Sequence, residues 1–405
     1  MTTEGNLHAR PYGVGLAYRY VIHEGCLENR QFVDLLELPT EDYIIRQRRV
    51  NSDPTEQLLS EATSIFPSVA HGISMSIGTV QPLNPHYLSS TLDFMRRHNI
   101  EVFSEHLAFH EIDGTDFTIF LAMPFEETAV KWIATNYNHA REALRRPFAL
   151  ENVTYHFGVP NSPLSEPEFF TAVSEECDCS FLLDVTNVFN NAHNHGYDPI
   201  DFLDRYPLDR VSQLHLAGGH FTDGKWEDSH SKPVMMPVWD LFDEVVRRTN
   251  AEIVILERDS HFHPFDLVMD DIHRAREIFY KHRQAEAPSD VGLFDTFEPQ
   301  LLGGEADCHA PEFEQLRKFQ RAVFQRITDR DFRALYAINR GEALSKIGLT
   351  NEWRERVEQC DPKAMLRLEA TWDALSQQYQ NEAEQFEQQE WAAWADLLES
   401  EATAA

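Results

Sequence analysis

Hydrophobic positions along the chain follow two rhythms. Short runs rich in Val, Ile, Phe and Leu occur at Val14–Arg19, Val33–Leu38, Gly72–Ile77, Glu101–Phe109, Phe148–Tyr155, Ser180–Phe189, Val211–Ala217 and Glu252–Arg258. Longer stretches between them, such as Pro85–Arg97, Phe125–Arg145, Glu166–Cys177 and Pro237–Arg248, space their apolar residues at helical intervals. Eight strand-like runs alternating with helix-sized segments predict an α/β fold, a parallel (β/α)8 TIM barrel. A doubly wound open sheet competes with it. That fold usually shows a Gly-rich phosphate loop after its first strand, and here Gly218-Gly219 is only an isolated pair.

The pattern changes after Ala285. Pro, Gly and acidic residues fill the stretch 287–311, which reads as a linker that packs in part. Beyond it Leu316, Phe319, Val323 and Ile327 recur at helical spacing. Asp329-Arg-Asp331 can start a second helix through Phe332, Leu335 and Ile338, and Trp353–Val357 and Ala364–Tyr379 read as helical too. The expected organisation is a barrel domain over 1–286, a linker over 287–311, and a C-terminal all-α extension over 312–405. No Lys or Arg follows Arg367, so the end is expected to be a frayed acidic helix, with Trp391 and Trp394 on one face.

Composition narrows the class. With 42% hydrophobic residues and 27 Phe among 405 residues, the chain can build a large core. Its net charge is −32, from 35 basic and 67 acidic residues. That argues against a nucleic-acid partner, which needs a basic face, and against an anionic membrane surface. Met1 to Arg10 has no apolar core of a signal peptide, and no apolar run approaches the ~20 residues that span a bilayer. The five Cys include only a Cys177-x-Cys179 pair, the wrong spacing for a zinc knuckle, so a reducing, cytoplasmic compartment is expected.

The chemistry is expected at the C-terminal ends of the strands. Polar residues there, set in apolar surroundings, are His71, Glu105, His106, Glu151, Asn152, Asp184, Asn187, His215, Glu257 and Asp259, with Asp228 and His230 in a following loop. Burying one carboxylate or imidazole costs several kcal/mol unless a partner compensates. A lone core His is usually a satisfied hydrogen-bonding residue. Six consecutive strand ends delivering such groups to one mouth point instead to cations, because Glu151, Asp184 and Glu257 would otherwise repel one another. Mixed His and carboxylate ligation suits Fe, Mn or Zn rather than Ca or Mg. In this reading His71 and His106 bind one ion, Asp184, His215 and Glu257 bind its neighbour, and Glu151 bridges. Asp228 and His230, with Asn187, hold a third. A metal-free acid–base pocket is the alternative for the whole set, a plain polar loop for Asp228-Ser-His230, and a strand-end amide for Asn187. His193, His195, His261 and His263 read as loop residues near the mouth.

Taken together, these motifs resemble a known family. Ser104-Glu-His-Leu-Ala-Phe109, Ala149-Leu-Glu-Asn152, Leu182-Leu-Asp-Val-Thr-Asn-Val188 followed by Asn194-His-Gly-Tyr-Asp198, Gln213-Leu-His-Leu-Ala-Gly218, Asp228-Ser-His230 before Pro237-Val-Trp239, and Leu256-Glu-Arg-Asp259 stand in order over roughly residues 12–280. They are similar to the multinuclear non-haem iron oxidases typified by MbnB and TglH, a branch of the xylose-isomerase-like barrels. The resemblance implies two or three iron ions, dioxygen as cosubstrate, and ligands at His71, His106, Glu151, Asp184, His215 and Glu257, with Asn187, Asp228 and His230 at a third site. It also implies a ribosomally made precursor peptide whose Cys is modified, either to an oxazolone and thioamide or by excision of its β-carbon. A small partner protein that presents the leader peptide is implied as well, and the helical extension is a candidate dock for it. Two positions depart from the pattern: Thr186 stands where the family often has Asn, and Lys232 where it often has a second His. Both fall near the third site. Two other classes stay open on the residues alone: a divalent-metal isomerase or hydrolase of a sugar-like substrate, and a non-catalytic scaffold with a degenerate metal site.

Overall fold

A computed structural model describes residues 11–47, 54–283 and 307–378. Eight strands close into a parallel barrel. In chain order they are β1 (Gly13–Ala17), β2 (Leu36–Pro39), β3 (Ser68–Gly72), β4 (Phe103–His106), β5 (Ala149–Glu151), β6 (Ser180–Asp184), β7 (Val211–Ala217) and β8 (Ile253–Glu257). Each pairs with its neighbours in sequence, and β1 pairs with β8 to close the ring. Ala17, Leu35, Val69, Val102, Ile253 and Ile255 form one buried apolar cluster. Helices cover the outside. In Met236–Arg248 the residues Val238, Trp239, Leu241, Phe242, Val245 and Val246 are buried, the stripe that an amphipathic crossover helix lays on a sheet.

Several elements begin and end where local chemistry dictates. Asn84 caps the helix Pro85–Arg97 by accepting from the N–H groups of His86 and Tyr87, and Pro85 fills the first helical position. Ser165 and Glu168 form a capping box that starts Glu166–Cys177.

Four strand expectations need correction, the simplest being the run Phe148–Tyr155, where β5 stops at Glu151. The third strand is Ser68–Gly72, not Gly72–Ile77. Beyond Gly72 the N–H groups of Ile73 and Ser74 both donate to Glu41 Oε1, at 2.8 Å, and that of Met75 to Glu105 Oε2, at 3.3 Å. Carboxylates take the donors a strand would need, and the segment is a loop. The run Glu101–Phe109 is split: β4 stops at His106, and Phe109–Ile112 turns back on Thr115–Leu121 as an antiparallel hairpin. The run Ser180–Phe189 switches at Asp184, whose Oδ1 accepts from Asn187 N at 2.7 Å and caps a helix, Val185–His195. His193 and His195 therefore lie on a helix rather than a loop.

The described residues fall into two compact units that divide between Arg317 and Lys318. In the first, residues 307–311 end the expected linker, and Phe313, just beyond it, packs edge-on against Trp132 with ring centroids 5.0 Å apart. In the second, helices Arg330–Ile338, Arg340–Ile347 and Asn351–Gln359 are followed by helix from 362 to 378. Asp329 caps the first of these, and Phe319 meets Trp353 at 5.4 Å. The rest of the expected linker, the acidic tail with Trp391 and Trp394, and Met1–Arg10 lie outside the described residues. Among the described residues no helix is long and apolar enough to cross a membrane.

Candidate metal centre

The barrel brings eight of the nine predicted ligands together at the C-terminal ends of its strands. Register does the first part. His106 on β4 pairs with Glu151 on β5, and Asp184 on β6 with His215 on β7. Among these eight residues alone three overlapping groups result, each with ligand atoms within 4.8 Å of one another: His71, His106 and Glu151; Glu151, Asp184, His215 and Glu257; and Asp184, Asp228 and His230. Glu151 joins the first two. Its Oε2 lies 3.1 Å from His71 Nε2 and 3.3 Å from His106 Nε2, and its Oε1 lies 3.5 Å from His215 Nδ1. Glu257 Oε2 links the others, 3.0 Å from His215 Nδ1 and 3.6 Å from His230 Nε2.

Each imidazole is held from behind. His106 Nδ1 donates to the carbonyl of Gly72 at 2.9 Å, His230 Nδ1 to Asp259 Oδ2 at 2.9 Å, and His215 Nε2 to Glu37 Oε2 at 2.8 Å. His71 Nδ1 pairs with the Ser104 hydroxyl at 2.8 Å. In the neutral rings of His106, His215 and His230 the inward nitrogen is therefore a lone pair facing a carboxylate lone pair. That arrangement is repulsive unless a proton or a cation lies between them. Five of the inward atoms are buried without a hydrogen-bond partner: Glu151 Oε2, Asp184 Oδ2, His215 Nδ1, Asp228 Oδ1 and His230 Nε2. Buried polar atoms are normally satisfied, and five orphans converging on one pocket describe a cation cradle. The donors are imidazole nitrogens and carboxylate oxygens. Among the described residues no Cys joins them, and all five Cys are buried and free. That set fits Fe, Mn or Zn.

The electrostatics agree. Burial disfavours the Glu151 carboxylate, but the imidazoles of His106, His215 and His71 outweigh it and hold Glu151 well below the usual range. Burial pushes Asp184 well up, and the charges of Asp228, Glu151 and Glu257 push the same way. His106 is raised to about 9, burial being outweighed by Glu151 and Glu105, and His215 and His230 are likewise raised well above the usual imidazole range by the carboxylates around them. Protons stand in where cations would bind.

Asn187 is placed differently from the other eight. It sits in the first turn of its helix, where its amide oxygen accepts from the Thr154 hydroxyl and its amide nitrogen donates to the carbonyl of Asn152 at 3.1 Å. Asn152 clamps the backbone of Asp184, accepting from its N–H at 2.8 Å and donating to its carbonyl at 3.1 Å. Thr186, at the first departure from the family pattern, bonds both backbone groups of Ala217 and so ties the helix start to the end of β7. Glu105 precedes His106 but points to the other side of β4, where it accepts from Tyr87 OH at 2.8 Å. His193 stacks on Phe221, His195 pairs with the carbonyl of Tyr155, and His261 pairs with Ser260 Oγ. None of them, nor His263, belongs to the three groups.

Two contributors were missed by reading the chain. Glu37 lies within Leu36-Glu-Leu38, the same acid-in-apolar-strand signal that marks Glu151 and Glu257. Ser104 carries no such signal. The Gly218 pair has a steric role: a Cβ on Gly218 would stand 1.8 Å from the carbonyl oxygen of Lys232. Its own carbonyl accepts from Ser231 N and Lys232 N, which lays the loop bearing Asp228 and His230 against the barrel rim.

Comparison with known proteins gives three findings alongside a family match. A UPF0276 protein of Acaryochloris marina is 30% identical over 271 residues, covering 67% of this chain and 95% of the relative. Another, from Nitrosospira multiformis, is 36% identical over 211 residues, covering 52% and 74%. A solved xylose isomerase domain protein from Planctomyces limnophilus covers 68% of this chain and 97% of its own, with 12% identity and a TM-score of 0.42. The model of the RiPP precursor modification enzymes MbnB/TglH/ChrH matches residues 13–280, a span that holds all eight strands and every group of the centre, so the chain belongs to that family.

Proposed function

We propose that this protein is a multinuclear non-haem iron oxidase that uses dioxygen to modify a Cys of a ribosomally made precursor peptide. The observation that carries the reading is the set of five buried atoms at the barrel mouth that make no hydrogen bond and face one another closely, Asp228 Oδ1 standing 2.8 Å from His230 Nε2. His71 and His106 would hold one iron, Asp184, His215 and Glu257 a second with Glu151 between them, and Asp228 and His230, beside Asp184, a third. Bound iron would supply one-electron chemistry with dioxygen that redox-silent zinc cannot. Family membership supports the peptide substrate.

The chain's own residues have three tasks in this reading. The four imidazoles, each fixed by its outer hydrogen bond, present nitrogens without rearrangement, so the centre is preorganised. The hairpin from Phe109 to Leu121 follows β4, and Phe120 stacks on His106 with centroids 4.2 Å apart, shielding that side from water. Two members of the third group, Asp228 and His230, keep side-chain exposures of 23% and 17%, which gives that side of the centre access to solvent and to an incoming Cys. A leader-presenting partner protein belongs to this reading too.

The test is anaerobic purification with ferrous iron, metal counting, and dioxygen uptake on adding a Cys-containing precursor peptide. More than one iron per chain and peptide-dependent uptake are expected. Full turnover with zinc or manganese, or turnover without dioxygen, would overturn the reading and point to an isomerase or hydrolase. Mass spectrometry of the peptide separates loss of one carbon from oxazolone formation.

A further inference from the structure

His215 differs from the other three imidazoles of the centre. His71, His106 and His230 turn Nε2 inward and are held through Nδ1. His215 does the reverse: Nδ1 faces Glu257 and Glu151, and Nε2 is held by Glu37. We propose that Glu37 is a positioning residue that fixes His215 as an Nδ1 ligand, which rests on the reading of this pocket as a metal centre.

The inference stands on geometry. Glu37 belongs to β2 and His215 to β7, strands that are not neighbours in the barrel. Their side chains meet inside it, at 2.8 Å, with side-chain exposures of 2% and 0%. A carboxylate buried so completely costs several kcal/mol unless it is paired, and here the imidazole N–H is its partner. A carboxylate accepts and does not donate, so the proton lies on Nε2 and the lone pair on Nδ1. The ring has little freedom to swing away. It meets His71 edge-on at 5.1 Å, and it stands beside Asp184 in the β6–β7 register. A charged acceptor behind an imidazole also raises its basicity toward a metal. Glu37, His71 and His215 lie close enough to form a cation group by themselves. The short Glu37–His215 contact and the inward Nδ1 favour the positioning role.

Two measurements test this on the full chain. The first is nitrogen NMR of 15N-histidine-labelled, zinc-loaded wild-type protein. It should show one metal-bound ring with metal on Nδ1 and hydrogen on Nε2, the other metal-bound rings being bound through Nε2. No Nδ1-bound ring overturns the proposal, and this result does not depend on any variant folding. The second compares wild type with Glu37→Gln by zinc titration against a competing chelator, with melting of the metal-free proteins alongside. The variant should bind one ion about 10- to 100-fold more weakly. The ion held by His71 and His106 should be retained. A lower melting temperature with unchanged affinities would make Glu37 merely structural and overturn the inference. Wild type that takes up no divalent ion would instead sink the reading of the pocket itself.

Discussion

Single residues carry the sharpest tests, and Glu151 is first among them. Both its oxygens face imidazoles, so Glu151→Gln removes the shared charge between two groups and turns an amide N–H toward His71 and His106 or toward His215. Metal counting should show at least one ion lost and a second weakened, with peptide-dependent dioxygen uptake abolished. A different buried acid controls stability. Burial raises Glu166 from 4.5 to about 8, only partly offset by the hydroxyl of Tyr155 donating to it. The folded state therefore holds this proton where the unfolded state releases it. Its contribution is full below pH 4.5, falls with rising pH by about 1.4 kcal/mol per unit, and is gone above about 8. Glu166→Gln should flatten that slope and be the more stable protein at pH 8, as denaturant titrations at several pH values would show. At this scale most of the centre was legible, because an acid or His inside Leu-Leu-Asp-Val or Ile-Leu-Glu has few other reasons to be there. Ser104 was not. Its role is set by a neighbouring strand 33 positions away, and a Ser in a strand has no cost that needs explaining.

Elements explain which expectations slipped. The helices Pro85–Arg97 and Glu166–Cys177 begin and end where the sequence places them, because caps and Pro are local signals. The strand boundaries moved where a carboxylate competes for backbone donors, as Glu41 does after β3 and Asp184 after β6. Those competitions join residues from different elements and leave no periodicity to read. The loop after β7 yields a prediction of its own. Because Gly218 leaves no space for a Cβ beneath Lys232, Gly218→Ala must push that loop outward, carrying Asp228 and His230 away from Asp184. Metal counting should show the third ion lost and the other two kept, with melting little changed in the metal-free protein. Loss of all ions together would mean that the rim and the barrel interior are one rigid unit.

Charge ties the whole molecule to its centre. Of the net −32, residues 290–405 hold −11 and residues 1–289 hold −21, so the excess is not confined to the tail. Part of the barrel's share is Glu37, Glu151, Asp184, Asp228 and Glu257, gathered in one pocket. Two divalent ions bound there would nearly neutralise those five charges, and a third would leave the pocket with a net positive charge. A cationic, partly desolvated site attracts an anionic ligand, and a thiolate is the anion a Cys can offer. Third-ion occupancy and peptide binding should therefore be coupled, each strengthening the other by the same factor. Calorimetry of a Cys peptide with wild type and with Asp228→Asn would measure it. The Cys peptide should bind more weakly to the variant and release a proton on binding wild type, as the thiol ionises. A peptide with Ser in place of Cys should bind both equally. Equal loss for both peptides would mean that Asp228 contacts the peptide itself rather than acting through the ion.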